Sequence, residues 1–155
     1  MKKLRVISLI LICALTLVTL VACFDHIEDT NGEEDFSLVT ITDEDFIQYS
    51  HSLVSNNSVR TEIGNRTKLK IGKISGIDII EEFSVFGSGS VTISMNMSVT
   101  SGNCRLVLVH NEQIVYDFNI NGEDSFVATE RGHYYLKIGG ESATVSMEYT
   151  IVSKF

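Results

Sequence analysis

Three stretches of this chain alternate apolar and polar residues without a break, and a period of two is the signature of a β-strand with one buried face. Val91, Ile93, Met95, Met97 and Val99 alternate with Thr92, Ser94, Asn96, Ser98 and Thr100. Ile114, Tyr116, Phe118 and Ile120 repeat the pattern, as do Ala143, Val145, Met147, Tyr149 and Ile151. Further strands are predicted over 67–74, 77–85, 125–129 and 132–138. Turn chemistry separates these runs at Gly87-Ser88-Gly89, Ser101-Gly102-Asn103, His110-Asn111-Glu112, Asn121-Gly122, Arg131-Gly132 and Gly139-Gly140. Short strands with regular punctuation predict an all-β fold, an antiparallel β-sandwich or jelly roll of about eight strands.

Two segments depart from that period. Arg105 to His110 reads RLVLVH, apolar on both parities, which predicts a central strand covered on both faces. Upstream, Thr42-Asp43-Glu44-Asp45 has the hydroxyl cap and the acidic first turn of a helix. Phe46, Ile47, Tyr49, Leu53 and Val54 fall near one helical face, so a short helix is expected to run to about Asn56-Asn57 and to lie across the outer side of the 105–110 strand. A strand over 36–42 precedes it.

The first two dozen residues obey neither period. Lys2, Lys3 and Arg5 open a segment that is apolar from Val6 to Ala22 except for Ser8, Thr16 and Thr19. A basic start followed by a short apolar run is the pattern of a secretory signal, with an uncleaved membrane helix as the alternative, since the run approaches the roughly 20 residues of a span. It closes on Leu20-Val21-Ala22-Cys23, which resembles the lipobox of bacterial lipoprotein signal peptides. That resemblance implies acylation of the Cys23 sulfur, cleavage before Cys23, and a mature protein lipid-anchored to the cell membrane on its extracytoplasmic face. The expected organisation is a signal peptide over 1–22, an acidic tether over 23–35 and a β-sandwich domain over 36–155, with strand and helix in 36–60 and the sandwich core in 61–155. Six of the twelve residues from Phe24 to Asp35 are acidic, which suits a solvated tether. Within it, Asp29-Thr30-Asn31-Gly32 lacks the ligand alternation and the later glutamate of a calcium loop.

Farther along, Gly132, Tyr134, Leu136 and Gly140 in GHYYLKIGG, followed by an alternating strand, resemble the closing hairpin of small uncharacterised lipoproteins of Gram-positive bacteria. That likeness implies a β-sandwich and transfers no catalytic residue.

Charge narrows the partners. Without residues 1–22 the chain keeps 9 basic and 20 acidic residues, a formal charge of −11, so nucleic acid is not expected as a partner. Of the three cysteines only Cys104 remains for the domain, so no intramolecular disulfide is available. Its parity with Leu106 and Leu108 predicts an inert, buried thiol.

Catalytic and metal signatures are weak. His26, His51, His110 and His133 have no ligand partner at the spacing a zinc site requires, and are expected in loops or on the surface. Gly87-Ser88-Gly89-Ser90 leads into a strand, whereas a nucleophile elbow leads into a helix. Acidic neighbours at Asp43 to Asp45, Glu81-Glu82 and Glu123-Asp124 read as solvated surface. No cofactor, metal or catalytic residue is therefore assigned. What remains is a polar stripe, Thr92, Ser94 and Asn96 continuing through Ser98 and Thr100, together with Tyr135, which is out of phase with inward Tyr134 and Leu136. A tyrosine beside hydroxyl and amide groups is a surface for a cell-wall glycan or a protein ligand. The expectation is a non-catalytic binding or structural module, with a hydrolase or an inhibitory or protective surface lipoprotein as the competing classes.

Overall fold

The computed structural model describes residues 41–48 and 53–155. It is all-β and antiparallel, with one short helix. Helix α1 spans Asp43–Ile47, and the strands are β1 (Val54–Ile63), β2 (Arg66–Val85), β3 (Ser90–His110), β4 (Gln113–Asp117), β5 (Gly122–Ala128) and β6 (Gly132–Lys154). They form one sheet in the order β1-β2-β6-β3-β4, with β5 also paired to β3.

Among the described residues the count is six where the sequence suggested about eight, because three pairs of expected strands are continuous and one unexpected strand, β1, is added. The runs 67–74 and 77–85 join as β2, 91–100 and 105–110 as β3, and 132–138 and 143–151 as β6. Ser101-Gly102-Asn103 and Gly139-Gly140, expected as turns, lie inside β3 and β6.

These long strands are not straight. Thr67 pairs with Tyr149, yet the Tyr149 hydroxyl donates to Glu81 Oε1 at 2.7 Å. Glu81 would stand roughly 45 Å from Thr67 along an extended strand at ~3.3 Å per residue. The sheet therefore folds back on itself, and the joints coincide with register shifts: Ile71 to Ser75 in β2, Val99 to Asn103 in β3, and the stretch of β6 opposite them, where Ser142 has φ 54°. One extra residue at a bulge reverses the phase of everything beyond it. Accordingly, inward residues are odd-numbered in one half of β6 (Val145, Met147, Tyr149) and even-numbered in the other (Tyr134, Leu136, Ile138). Gly102 (φ 69°) sits at the β3 joint, where a Cβ would overlap the Ser142 carbonyl of the crossing strand. Neither its dihedral nor its clearance admits another residue.

Folding back creates two layers from one sheet. The broad half holds β1, residues 66–71 of β2, 143–154 of β6, 90–99 of β3, and β5. The narrow half holds 76–85 of β2, 132–140 of β6, 104–110 of β3, and β4. Their inner faces share one core containing Ile71, Ile93, Met97 and Met147 from the first and Leu106, Leu108, Leu136 and Ile138 from the second. The sides are closed by polar contacts. On one side Arg60 donates to the Ile80 carbonyl at 3.1 Å and to Glu81; on the other the Tyr116 hydroxyl donates to Asp124 at 2.9 Å.

Helix α1 is shorter than expected. Its start is as predicted, a capping box in which Asp45 N–H donates to Thr42 Oγ1 and Thr42 N–H to Asp45 Oδ2. It ends at Ile47, however, and Val54, expected in the helix, opens β1, a strand the sequence reading missed. Polar Ser55 to Ser58 carries no period-two signal, and β1 exists because the hairpin brings it alongside β2. The expected strand over 36–42 falls largely outside the described residues, and Ile41 and Thr42 are not in a strand.

Candidate functional site

The outer faces of the two halves differ in kind. In the narrow half, Ile77, Val107 and Val109 point away from the main core and form a second cluster with Phe46 of α1, bordered by Ile41, Ile114 and Tyr135. The helix does lie across the outer side of the 105–110 strand, as its lack of alternation required. Gly139 leaves room for it, since a Cβ there would overlap the Phe46 ring; at Gly140 a Cβ would overlap Ile74 from the inner side. Arg105 stacks 5.5 Å above the Phe46 ring and bonds Asp43 and Asp117.

Under the same cover lies Lys137, 1% exposed, whose Nζ donates to the carbonyls of Phe46 and Gln48 at 2.6 Å each. These carbonyls close the C-terminal end of α1, where a cation is electrostatically favoured. Burial pulls the Lys137 ammonium below its ordinary value. Sequence reasoning missed this residue; the signal was its place on the outward parity with Tyr135, in the strand that pairs with Val107.

The outer face of the broad half has no such cover among the described residues. Paired residues of an antiparallel sheet share a face, so the register fixes its rows. One row runs Ile63, Arg66, Thr150, Ser94, Ser125; the next Thr61, Lys68, Glu148, Asn96, Glu123; a third Val59, Lys70, Ser146, Ser98. Thr92 stands between Val152 and Val127. Thr92, Ser94 and Asn96 thus lie side by side on this face as predicted. A shallow trough of about 600 Å³ runs over Arg66, Ser94, Asn96, Glu123, Ser125, Glu148 and Thr150. Arg66 and Lys68 both pair with Glu148, at 2.8 and 3.1 Å.

Tyr135 does not join them. It is out of phase with buried Tyr134, as expected, but the fold-back places it in the narrow half, half-buried against the Phe46 cluster. A single surface combining Tyr135 with Thr92, Ser94 and Asn96 is therefore not formed.

The histidines divide. His110, expected at the surface, is buried and stacks on Tyr134 at 4.1 Å. Its Nδ1 lies 2.9 Å from the His133 carbonyl and so donates, which leaves Nε2 to accept from Asn111 Nδ2 at 3.0 Å. These contacts and the stack on Tyr134 give the ring a structural role. His133 is exposed, and its Nδ1 lies 2.8 Å from Ser84 Oγ. Among the described residues no carboxylate bonds its other nitrogen to orient it, which a nucleophilic pair requires. Cys104 packs against the main core on the predicted parity but is half-buried, not buried, and desolvation pushes its thiol up to about 12, far from the thiolate range.

Asp124, expected to be merely solvated, instead holds the fold, as does Glu141, which the sequence reading did not single out. Glu141 accepts from Ile41 N–H at 3.1 Å and Asn103 Nδ2 at 3.0 Å, and these bonds hold its carboxyl below the usual glutamate value. Asp124 accepts from Asn119 N–H, Tyr116 and Ser125 N–H, and is lowered for the same reason. Among the described residues no three His, Cys, Asp or Glu side chains converge to hold a metal ion, and no helix is long and apolar enough to cross a membrane. Cys23, the expected lipidation site, and the acidic tether lie outside the described residues. No protein family, curated protein or solved structure matches the chain.

Proposed function

We propose that this chain is an exported, lipid-anchored module of the cell envelope that binds a partner without transforming it, and that the outer face of its broad half is the contact surface. The observation that carries this reading is the set of rows on that face that no described element covers. Hydroxyl and amide groups of Thr92, Ser94, Asn96, Ser98, Ser125, Ser146 and Thr150 stand on adjacent strands around a trough. Strands spaced ~4.8 Å apart, with side chains every other residue, offer a lattice of short hydrogen-bonding groups whose ordering costs little rotamer entropy. A hydroxyl- and amide-rich chain such as a cell-wall glycan meets such a lattice along its length. The anchoring half of the proposal rests on the basic start, the apolar run and Leu20-Val21-Ala22-Cys23. Two or more acyl chains on Cys23 would hold the protein stably, at about 0.8 kcal/mol per buried methylene.

Two experiments test the two halves separately. Cys23→Ala should abolish acylation and leave unprocessed precursor or protein released from the membrane; unchanged processing and attachment would overturn the address. Soluble cell-wall glycan fragments at about 100 times their dissociation constant should add about 2.7 kcal/mol of stability to the purified chain and raise its thermal midpoint by several degrees. Asn96→Arg, which fills the trough, should remove that shift. A shift that persists in Asn96→Arg, or none at any concentration, would overturn the contact surface.

A further inference from the structure

The free edge of β1 is unlike the other borders of the sheet. Among the described residues β1 pairs only with β2, and every residue from Asn56 to Ile63 is exposed. Val59 (57%) and Ile63 (65%) are among the most exposed large apolar side chains of the domain. The register shifts of β1 are confined to Ser55–Ser58, so Ser58 to Ile63 is a regular strand.

Its hairpin fixes which backbone groups are unpaired. The turn to β2 has two residues, Gly64 with φ 65° followed by Asn65, and closes on the pair Ile63 and Arg66. Glycine first with positive φ is the type II′ arrangement, whose closing pair exchanges both ladder bonds. Ile63, Thr61 and Val59 therefore bond to β2, and the N–H and C=O groups of Glu62, Arg60 and Ser58 point to the open edge.

We infer that this edge pairs with the same edge of a second copy of the chain, antiparallel about a two-fold axis at Thr61. An isologous contact must be self-complementary, and the segment Val59-Arg60-Thr61-Glu62-Ile63 is so about its centre. Pairing there sets Arg60 against Glu62 of the partner copy, Val59 against Ile63, and Thr61 against itself. Neighbouring registers that also match outward amide to outward amide centre on Arg60 or Glu62 and oppose like charges, so charge selects the Thr61 register. Edge strands are commonly guarded by a charge that repels an incoming strand. Here the guard is Arg60 and Glu62, already bonded to each other at 3.0 Å within the strand, which this register also sets against their opposites in the second copy, and the contact turns two exposed apolar residues per copy into cross-strand pairs.

The test uses the full chain in its host membrane. In this register Thr61 and its symmetry mate form a non-hydrogen-bonded pair with Cα atoms ~4.5 Å apart, within disulfide range. Thr61→Cys should give a disulfide-linked dimer on mild oxidation, well above the level of the parent chain. Adding Glu62→Arg, which opposes two cations at each crossing, should cut that yield about ten-fold or more. Should Thr61→Cys fail to accumulate, Val59→Cys and Ile63→Cys chains read the same register, because together they should cross-link and neither should alone. No dimer above the parent level in either format, or cross-linking indifferent to Glu62→Arg, would overturn the inference.

Discussion

The two outer faces of this folded sheet are made by the same three strands and have opposite fates. On the narrow half, β3 and β6 present Val107, Val109, Tyr135 and Lys137, and these are sealed by a single turn of helix. On the broad half the same strands present Ser94, Asn96, Ser146 and Glu148, and no described element covers them. The difference shows how little local structure is needed to cover a sheet. Among the described residues the helix and its flanks provide that cover: Phe46 fills the space above Gly139, Ile41 borders it, and Lys137 holds the carbonyls of Phe46 and Gln48.

That contrast can be broken from either side. Phe46→Ala should have the largest effect, destabilising the fold by about 3–5 kcal/mol in a denaturant titration, because it empties the outer cluster and releases α1. Lys137→Ala should follow at about 2–3 kcal/mol, since it strands two carbonyls under apolar cover. Smaller still is a pH effect at Glu141. Its carboxyl titrates below the ordinary glutamate value of 4.5. The folded state thus binds fewer protons there than the unfolded chain, and its contribution is complete above that value and lost as pH falls through the folded one. Glu141→Gln should therefore flatten the acid limb of a stability profile below about pH 4.5; an unchanged limb would mean the Asn103 and Ile41 contacts do not matter. Ser94→Ala, on the bare face, should change stability by no more than about 0.5 kcal/mol. A larger loss would make that face structural.

The same contrast explains what could be read in the sequence. Alternation over 91–100 and 143–151 gave the wet face of the broad half, and its absence in Arg105 to His110 gave the covered face of the narrow half, including the element that covers it. Thr92, Ser94 and Asn96 were legible for that reason. Tyr135 was misplaced and Lys137 missed because both depend on which way β6 points beyond Ser142. Their outward parity was legible, but no residue type near Ser142 announces the fold-back that sets this face under α1. Gly102, Gly139 and Gly140 resembled turn residues because tight turns and close packing ask for the same absence of a side chain.

The central claim, that the bare face is the one that meets a partner, is tested most directly by amine footprinting. Lys68 and Lys70 lie on that face beside the trough, and Lys154, paired with Ser90, lies at the far end of the same face. Acylation rates of these lysines would be compared in the purified chain with and without soluble cell-wall glycan fragments. The account predicts slower labelling of Lys68 and Lys70 with Lys154 unchanged. Equal rates at Lys68 and Lys70 with and without saturating fragments would contradict it.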